Sequence, residues 1–261
     1  MKEFNSSFLK NLSKQDHLLV EKILDWVNIA NEKYIEKFSF FLDCRQSKIA
    51  KQVIDSLRFD NYKFFGGYDD AHRLVLGVFP PYTEINDSDF PVKGLTFTYR
   101  KCDILTHRDV LGSLMSLNIS RECIGDIIIS EGKTIVFAVD KILPLILENV
   151  HKIARIGVKA EVGFDLSDVS LEQKFTEICG TVASLRADCV IALAINKSRE
   201  KASALIKSNG IYIDYEEVFS PSAEMCEGIG FSIRGHGKFL LSSVNGLSRK
   251  NRLHITIKKY D

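Results

Sequence analysis

The central part of the chain reads, from Gly94 to Phe164, GLTFTYRKCDILTHRDVLGSLMSLNISRECIGDIIISEGKTIVFAVDKILPLILENVHKIARIGVKAEVGF. Its apolar side chains alternate with the period of a strand in some segments and recur with the period of a helix in others. In chain order the segments are a strand at 95–100, a helix at 107–118, strands at 126–130 and 134–139, a helix at 141–153 and a strand at 154–163. The stretch therefore predicts a βαββαβ domain within an α+β protein.

This order of elements is the split βαβ plan, which RNA-recognition motifs share with ferredoxin-like domains. Many functions use the plan, so the plan alone does not decide what the protein does. In an RNA-recognition motif, aromatic side chains on the strands stack on bases, and the candidates here are Phe97, Tyr99 and Phe137. Because the third strand offers only Phe137, the sequence favours core packing for these rings over a stacking surface.

The residues before this domain predict helices and a hairpin. Ser13-Lys14-Gln15-Asp16 fits the capping-box pattern, and apolar side chains then recur at helical spacing as far as Tyr34. A second helix is expected at 46–57. Two extended stretches follow at 62–67 and 73–79, before Pro80-Pro81.

The residues after an acidic connector at 165–172 predict a third domain. Its elements are a strand near 176–184, helices at 186–195 and 198–207, strands at 231–234, 238–244 and 253–258, and turns at 245–246 and 248–251. Ser198 is a good N-cap, and Glu200 favours the positive end of the second helix. We therefore divide the chain into an N-terminal helical and hairpin region at 1–90, a central domain at 91–172 and a C-terminal domain at 173–261.

Charge is distributed unevenly along the chain. The whole sequence has 35 Lys and Arg against 34 Asp and Glu among 261 residues, so it is nearly neutral. From Ser184 onward there are 12 basic and 8 acidic residues, a net charge of +4, whereas the 183 residues before have 23 and 26. A basic C-terminal part on a slightly acidic body indicates a domain that meets a polyanion.

Several classes of function lack support in the sequence. The six cysteines form no CxxC pair and the six histidines include no HExxH, so neither a metal nor a cofactor is expected. The longest apolar run, Val190–Ile195, is far shorter than the about 20 residues that span a bilayer, which predicts a cytoplasmic protein without a membrane partner. His107-Arg108-Asp109 repeats the tripeptide of the kinase catalytic loop, but Leu114 stands where that loop needs Asn. Thr106 and Asp109 fit a capping box instead, and no catalytic residue is predicted.

A group of short motifs marks the C-terminal domain. They are Arg186-Ala-Asp188 at one helix start, Ser198-Arg199 with Ala202, Leu205 and Ile206 in the next helix, Gly210 before a strand, Pro221-Ser222 in a loop, and Arg234-Gly-His-Gly-Lys238. Together they resemble the RNA-binding domain named after small-subunit ribosomal protein S-four. Asp214-Tyr215 and Gly228-Ile229 depart from the Asn-Gly and Gly-Asp that are usual there.

Basic side chains around one short helix can reach the phosphates of a folded RNA, and such contacts recognise shape rather than sequence. With the resemblance, this gives the RNA-binding candidates Arg186, Lys197, Ser198, Arg199, Lys201, Lys207, Arg234, His236 and Lys238. For Arg186 an alternative is pairing with Asp188 at the helix start. His107 and Arg108 are secondary candidates in the central domain.

Three further stretches, Phe41–Gln46, Phe65–Arg73 and Leu105–Ile127, resemble the YlmH proteins of Gram-positive bacteria. With the C-terminal motifs, the likeness extends over nearly the whole chain; Cys44 stands where Pro is expected, in what the pattern predicts to be a turn between helices. The resemblance implies a protein that binds rRNA and peptidyl-tRNA on the large ribosomal subunit during quality control of stalled nascent chains. It also implies a link to cell division. With the C-terminal motifs and their charge excess, we expect a non-enzymatic protein, and we expect it to be a monomer.

Two alternatives stay open. Domains of the S-four type also accompany RNA-modifying enzymes, but here too few residues follow the domain for a pseudouridine synthase, and no glycine-rich loop indicates a methyltransferase. A scaffold that acts in cell division is compatible with the acidic N-terminal part.

Overall fold

The computed structural model describes residues 14–167, 175–214, 216–248 and 250–260. The chain divides into two compact units, Met1–Ser170 and Leu171–Asp261, and each is described by itself. Both units combine helices with antiparallel sheets, so the predicted α+β class is confirmed. In the described ranges, no helix has the length and apolar character that crossing a membrane would need.

The first unit begins with two helices on a small sheet. Its elements are α1 (Lys14–Lys33), β1 (Lys37–Leu42), α2 (Cys44–Leu57), β2 (Tyr62–Phe65) and β3 (Leu74–Val78). The strands pair antiparallel in the order β1-β3-β2. Both helices bury one apolar stripe, with Ile23 and Ala30 from α1 and Val53 and Ile54 from α2, against Leu76 and other sheet residues. The predicted capping residue Ser13 lies outside the described residues.

Strand β1 is an element that the sequence did not predict. Its sequence, Lys-Phe-Ser-Phe-Phe-Leu, has consecutive apolar residues rather than clean alternation, because a β-bulge between Phe38 and Phe41 shifts its register against β3. As a result Cys44 is not in a turn between helices. It is the first residue of α2, directly after the N-cap Asp43. Proline is well tolerated at that position, which accounts for either residue being compatible with the fold.

A four-stranded sheet with two helices completes the first unit. Its main elements are β4 (Val92–Thr98), α3 (His107–Met115), β5 (Ile124–Ser130), β6 (Lys133–Val139), α4 (Leu143–Asn149) and β9 (Lys159–Val162), with a small hairpin of β7 (Lys152–Ile153) and β8 (Ile156–Gly157) before β9. The strand order is β5-β6-β4-β9 and all pairs are antiparallel. Leu95 and Val136 face α3 and α4 from one side of this sheet.

The second unit packs two helices on one face of a six-stranded sheet. Its elements are β10 (Phe175–Val182), α5 (Ala187–Ala194), α6 (Arg199–Asn209), β11 (Ile211–Ile213), β12 (Glu216–Val218), β13 (Gly230–Ile233), β14 (Gly237–Leu247) and β15 (Leu253–Tyr260). The strand order is β10-β15-β14-β13-β11-β12. Val190 and Ile206 from the helices pack on Phe239, Leu241 and Ile257.

The turn predicted at Asn245-Gly246 is wrong. Both residues lie inside β14, which pairs with β15 as far as Leu247 and has irregular register between Asn245 and Leu247. The Asn-Gly pair is a strong turn signal, but here it falls at a β-bulge. The chain reverses at Ser248, whose backbone N–H donates to the carbonyl oxygen of Arg252.

Candidate functional site

The start of α5 is organised by one buried carboxylate. Asp188 lies in the first turn of α5 and is 4% exposed. Arg186, the N-cap residue, donates to it through Nε and Nη2, both at 3.3 Å. Arg199, the first residue of α6, donates through Nε to Asp188 Oδ2 at 2.9 Å. The carboxylate therefore joins the beginnings of both helices.

These bonds also set the protonation of Asp188. Burial acts to raise the pKa of this carboxyl, but the hydrogen bonds from Arg186 and Arg199 outweigh it, so the pKa lies below the ordinary value of 3.8. The same contact raises the pKa of Arg199. The alternative expected for Arg186, pairing with Asp188, is confirmed, and Arg199 also has a structural contact.

Other basic side chains around α6 are directed to solvent. Ser198 caps the helix by accepting from the backbone N–H of Lys201 at 3.3 Å. Lys197, Lys201 and Lys207 are all exposed, and none forms an ion pair within the described part of the chain. Burial of Ala202 and Ile206 on the other side of α6 explains this orientation, because one stripe of the helix is used for packing. We call Lys197, Arg199, Lys201 and Lys207 the α6 surface.

The remaining C-terminal candidates lie at the turn between β13 and β14. Arg234 and His236 are exposed there. Arg234 directly precedes Gly235, and His236 lies between Gly235 and Gly237, which both have positive φ. Lys238 is exposed, but it is adjacent in the strand to Phe239, which is buried beneath the helices. Side chains alternate along a strand. Lys238 therefore lies on the face of the sheet without helices and does not join the α6 surface.

In the first unit, the secondary candidates lie at the beginning of α3. The predicted capping box is confirmed: Asp109 N donates to Thr106 Oγ1 at 3.2 Å, and the Asp109 carboxylate accepts from Thr106 N at 3.0 Å. The Asp109 carboxylate also accepts from the Thr106 hydroxyl, and this bond together with the one from Thr106 N holds the pKa of Asp109 below its ordinary value. His107 and Arg108 are exposed in this first turn.

The aromatic residues considered for base stacking are in the interior. Phe97 and Phe137 are both fully buried, so core packing is confirmed. Phe97 belongs to the side of the sheet covered by α3 and α4. Phe137 is on the other side, where Phe41 and Val75 of the N-terminal sheet pack against it. Tyr99 is half-buried, and its hydroxyl donates to the Ser130 carbonyl at 3.1 Å.

The loop between β2 and β3 closes this second side of the sheet. Tyr68 stacks on Phe137 with ring centroids 4.8 Å apart and an interplanar angle of 26°. Its hydroxyl donates to Asp126 Oδ2 at 3.0 Å, and the backbone N–H groups of His72 and Arg73 donate to the same carboxylate. A tyrosine ring thus occupies the position where a base would stack in an RNA-recognition motif.

Sequence reasoning did not find this closure. In the sequence, only its likeness to YlmH proteins distinguishes the stretch Phe65–Arg73. Its two glycines were the available signal, because Gly67 has φ +104° and a Cβ there would lie 2.2 Å from the Phe137 ring. Among the residues that the structure describes, no group of three or more His, Cys, Asp or Glu side chains could hold a metal ion.

The chain is similar to three sets of known sequences or structures. A model of the domain family described as "Putative RNA-binding domain in YlmH" matches residues 86–168. The chain is 30% identical over 256 residues to "Ribosome-associated protein quality control protein P2" of Bacillus subtilis (strain 168), which covers 97% of this chain and 99% of that protein. The solved structure of the cell division protein ylmH from Streptococcus pneumoniae matches with a TM-score of 0.52 and 22% identity, over 61% of this chain and 98% of that one. At that identity the structural match shows a shared fold.

Proposed function

The chain belongs to the YlmH family, and on this premise we propose that it is a non-enzymatic RNA-binding protein that associates with the large ribosomal subunit. Its ligands in this proposal are structured rRNA and peptidyl-tRNA, and its role is in quality control of stalled nascent chains. It acts as a cytoplasmic monomer.

Full-length similarity to the Bacillus subtilis protein carries the ribosomal part of the proposal. The alignment includes nearly every residue of both sequences, so the similarity is not limited to one common domain. The name of that relative places it on the ribosome in quality control. A chain of the same family that is similar to it along its whole length is expected to have the same kind of partner.

The α6 surface supports the RNA part of the proposal. Lys197, Lys201 and Lys207 are exposed cations, and Arg199 keeps 55% of its side chain exposed while it contacts Asp188. Lysine ammonium groups contact phosphates as point charges, without reading base edges. The surface thus suits the backbone of a folded RNA. The turn at Arg234 and His236 is a second basic element of the same unit.

The test is sedimentation of the tagged full chain through a sucrose gradient of cell lysate at low and moderate salt. The variant carries Lys197→Glu and Lys201→Glu. Lys201 is the third residue of α6 and Ser198 is its N-cap, so Glu at 201 completes a capping box and favours the helix. Arg199 is left unchanged because it holds Asp188.

A matched control carries Lys22→Glu and Lys51→Glu, two exposed lysines of α1 and α2 in the first unit. We expect the wild type and the control to migrate with the large subunit at low salt, and the Lys197/Lys201 variant to remain at the top. If the wild type remained at the top at both salt concentrations, the ribosomal proposal would be wrong.

A second candidate function is suggested by the cell division protein of Streptococcus pneumoniae that shares the fold. In this alternative the chain is a scaffold whose partners are proteins linked to RNA. Affinity capture after ribonuclease treatment separates the two functions, because protein partners of a scaffold would stay bound and ribosomal proteins held through RNA would be lost. An RNA-modifying activity is the third alternative, and a modified nucleotide that depends on this chain would favour it.

A further inference from the structure

The surface that the central sheet would use in an RNA-recognition motif is not available in this protein. The Tyr68 ring stacks on Phe137, and the Phe164 ring meets Phe137 edge to face, with the two ring centroids 4.9 Å apart. Phe41 and Val75 of the N-terminal sheet fill the rest of that surface. Exposing it would break the Asp126 hydrogen bonds and expose a large apolar core. Any RNA contact of the 86–168 domain must therefore use another surface.

A groove of about 460 Å³ lies on the helix side of the same sheet. Its walls come from α3, the end of α4 and the hairpin of β7 and β8. Arg108 and Lys152 stand at its sides, and Gly112, Ser113, Ser116 and Asn149 contribute to its lining. The groove is open to solvent along α3, because a Cβ placed on Gly112 would meet no atom within 4 Å.

The charges at this groove are available to a ligand. Arg108 and Lys152 are exposed, and neither forms an ion pair with a residue that the structure describes. Asp109 is the one acid in the lining, and its carboxylate is occupied by Thr106 at the helix start. Two cations therefore face the groove against one carboxylate that already has hydrogen-bond donors. The arrangement favours an anionic ligand.

The other side chains of the groove indicate which anion fits. The lining contains hydroxyls and an amide but no aromatic ring on which a base could stack. The Ser116 hydroxyl and the Asn149 amide already donate to the Ser113 and Leu145 carbonyls, so Ser116 Oγ keeps its acceptor capacity and Asn149 keeps one further N–H. Phosphate oxygens accept from Arg, Lys and hydroxyl groups, and ribose 2′-hydroxyls both donate and accept. The glycine at 112 lets a bulky backbone approach the helix closely. These are the properties of a site for the sugar–phosphate backbone of folded RNA.

We propose that the groove between α3, α4 and the β7–β8 hairpin, with Arg108 and Lys152 at its sides, binds the backbone of structured RNA. The inference rests on the proposed RNA-binding function and adds a second contact surface, in the first unit. Because backbone contacts carry no sequence information, this site contributes affinity and orientation, while the nucleotide sequence of the RNA stays unread.

The test measures binding of the full chain to purified large subunits, and separately to protein-free ribosomal RNA, across a series of KCl concentrations. The first variant carries Arg108→Glu and Lys152→Glu. Each lost phosphate contact lowers the magnitude of the log–log salt slope by about 0.7–0.9, so the double variant should lower it by about 1.4–1.8. The control with Lys22→Glu and Lys51→Glu has the same change in net charge and should keep the wild-type slope.

A second pair of variants blocks the groove without a change in charge. Gly112→Gln places a long side chain into the open space, and Gly112→Ala adds only a methyl group. Both replacements raise helix propensity, so both proteins should be at least as stable as the wild type. We expect Gly112→Gln to weaken RNA binding about tenfold, which corresponds to the loss of one or two backbone contacts, and Gly112→Ala to bind as the wild type does.

The outcomes distinguish this inference from the proposed function. If the wild type bound neither subunits nor RNA, the proposed function would fail. If it bound both, and the groove variants kept the wild-type affinity and slope, the groove proposal alone would be overturned. Weaker binding to subunits with unchanged binding to free RNA would also overturn it, because the groove would then hold a ribosomal protein. Weaker binding to both ligands would support it.

Discussion

At the scale of single residues, the arginine that sequence motifs single out is tied to the fold. Arg199 donates to Asp188, and Asp188 is the only charged side chain among the fully buried residues described in the second unit. Reversing the charge of Arg199 would leave a buried carboxylate with one arginine fewer, which is costly for folding. Lys201, two positions later, carries its charge in solvent. The two residues therefore need different experiments.

Asp188→Asn should lower the stability of the second unit by about 1.5–3 kcal/mol, the usual contribution of hydrogen bonds to a charged group. The folded-state pKa of Asp188 lies below its unfolded value. The contribution is therefore complete above the unfolded pKa near 4 and is lost as the pH falls through the folded pKa. The measurement is urea unfolding followed by far-ultraviolet circular dichroism, for both proteins, from pH 3 to pH 8.

We expect the difference in unfolding free energy to be constant from pH 5 to pH 8 and to shrink below pH 4. A difference that kept its size down to pH 3 would show that the carboxylate charge is not what stabilises the helix starts.

At the scale of elements, the β2–β3 loop decides what the central sheet can do. The βαββαβ order is compatible with an RNA-binding sheet, yet the loop and the N-terminal sheet convert the second face into a core. Two features of the loop make this possible. Gly67 allows the backbone to pass close to Phe137, and Asp126 binds the hydroxyl and two backbone N–H groups of the loop.

Gly67→Ala should destabilise the first unit by about 2–4 kcal/mol, because overpacking costs about 1–3 kcal/mol and left-handed backbone strain adds about 1 kcal/mol. Trp26 is the single tryptophan and lies in α1, so its fluorescence during urea unfolding reports on this unit. The matched control is Gly163→Ala. Gly163 also has positive φ, at +116°, but a Cβ there meets no atom.

Gly163→Ala should lower the free energy of unfolding by only about 1 kcal/mol, the cost of backbone strain without overpacking. Equal losses in the two variants would mean that the close approach to Phe137 does not matter for stability.

At the scale of the whole molecule, the second unit has a net positive charge, with 13 basic and 10 acidic residues, while the first is slightly acidic, with 22 and 24. Binding of the chain to RNA should therefore depend steeply on salt. If Lys197, Lys201, Lys207 and Arg234 each contact one phosphate, these four contacts alone contribute about −3 to the log–log slope. Raising KCl from about 50 to about 200 mM should then weaken binding at least roughly 60-fold. Fluorescence anisotropy of labelled protein with purified large subunits would measure it.

A Kd that changed less than about threefold over this range would contradict a phosphate-dominated interface. It would favour docking on a ribosomal protein instead. Lys197→Glu with Lys201→Glu should lower the magnitude of the slope by about 1.4–1.8, through loss of two of these contacts.

Much of this protein could be predicted from the sequence because the signals are local. The capping box at Thr106 and the N-cap at Ser198 depend on residues three positions apart, and the strand and helix periods of 94–164 are visible in the chain itself. The pattern of charge is also a property of the sequence. Each of these features follows from the chemistry of neighbouring residues, which does not need the rest of the fold.

The tertiary structure decided the contacts between residues that are distant in the chain. Tyr68 meets Phe137 and Asp126 only because two sheets pack face to face, and Arg199 meets Asp188 only because two helix starts are adjacent. Strand β1 and the bulge at Asn245 depend in the same way on their partner strands. The sequence by itself determined the capped helices, most of the strands and where the chain has its net positive charge. Packing decided which faces those elements bury, because the free energy of burial depends on the partner surface and not on the local pattern alone.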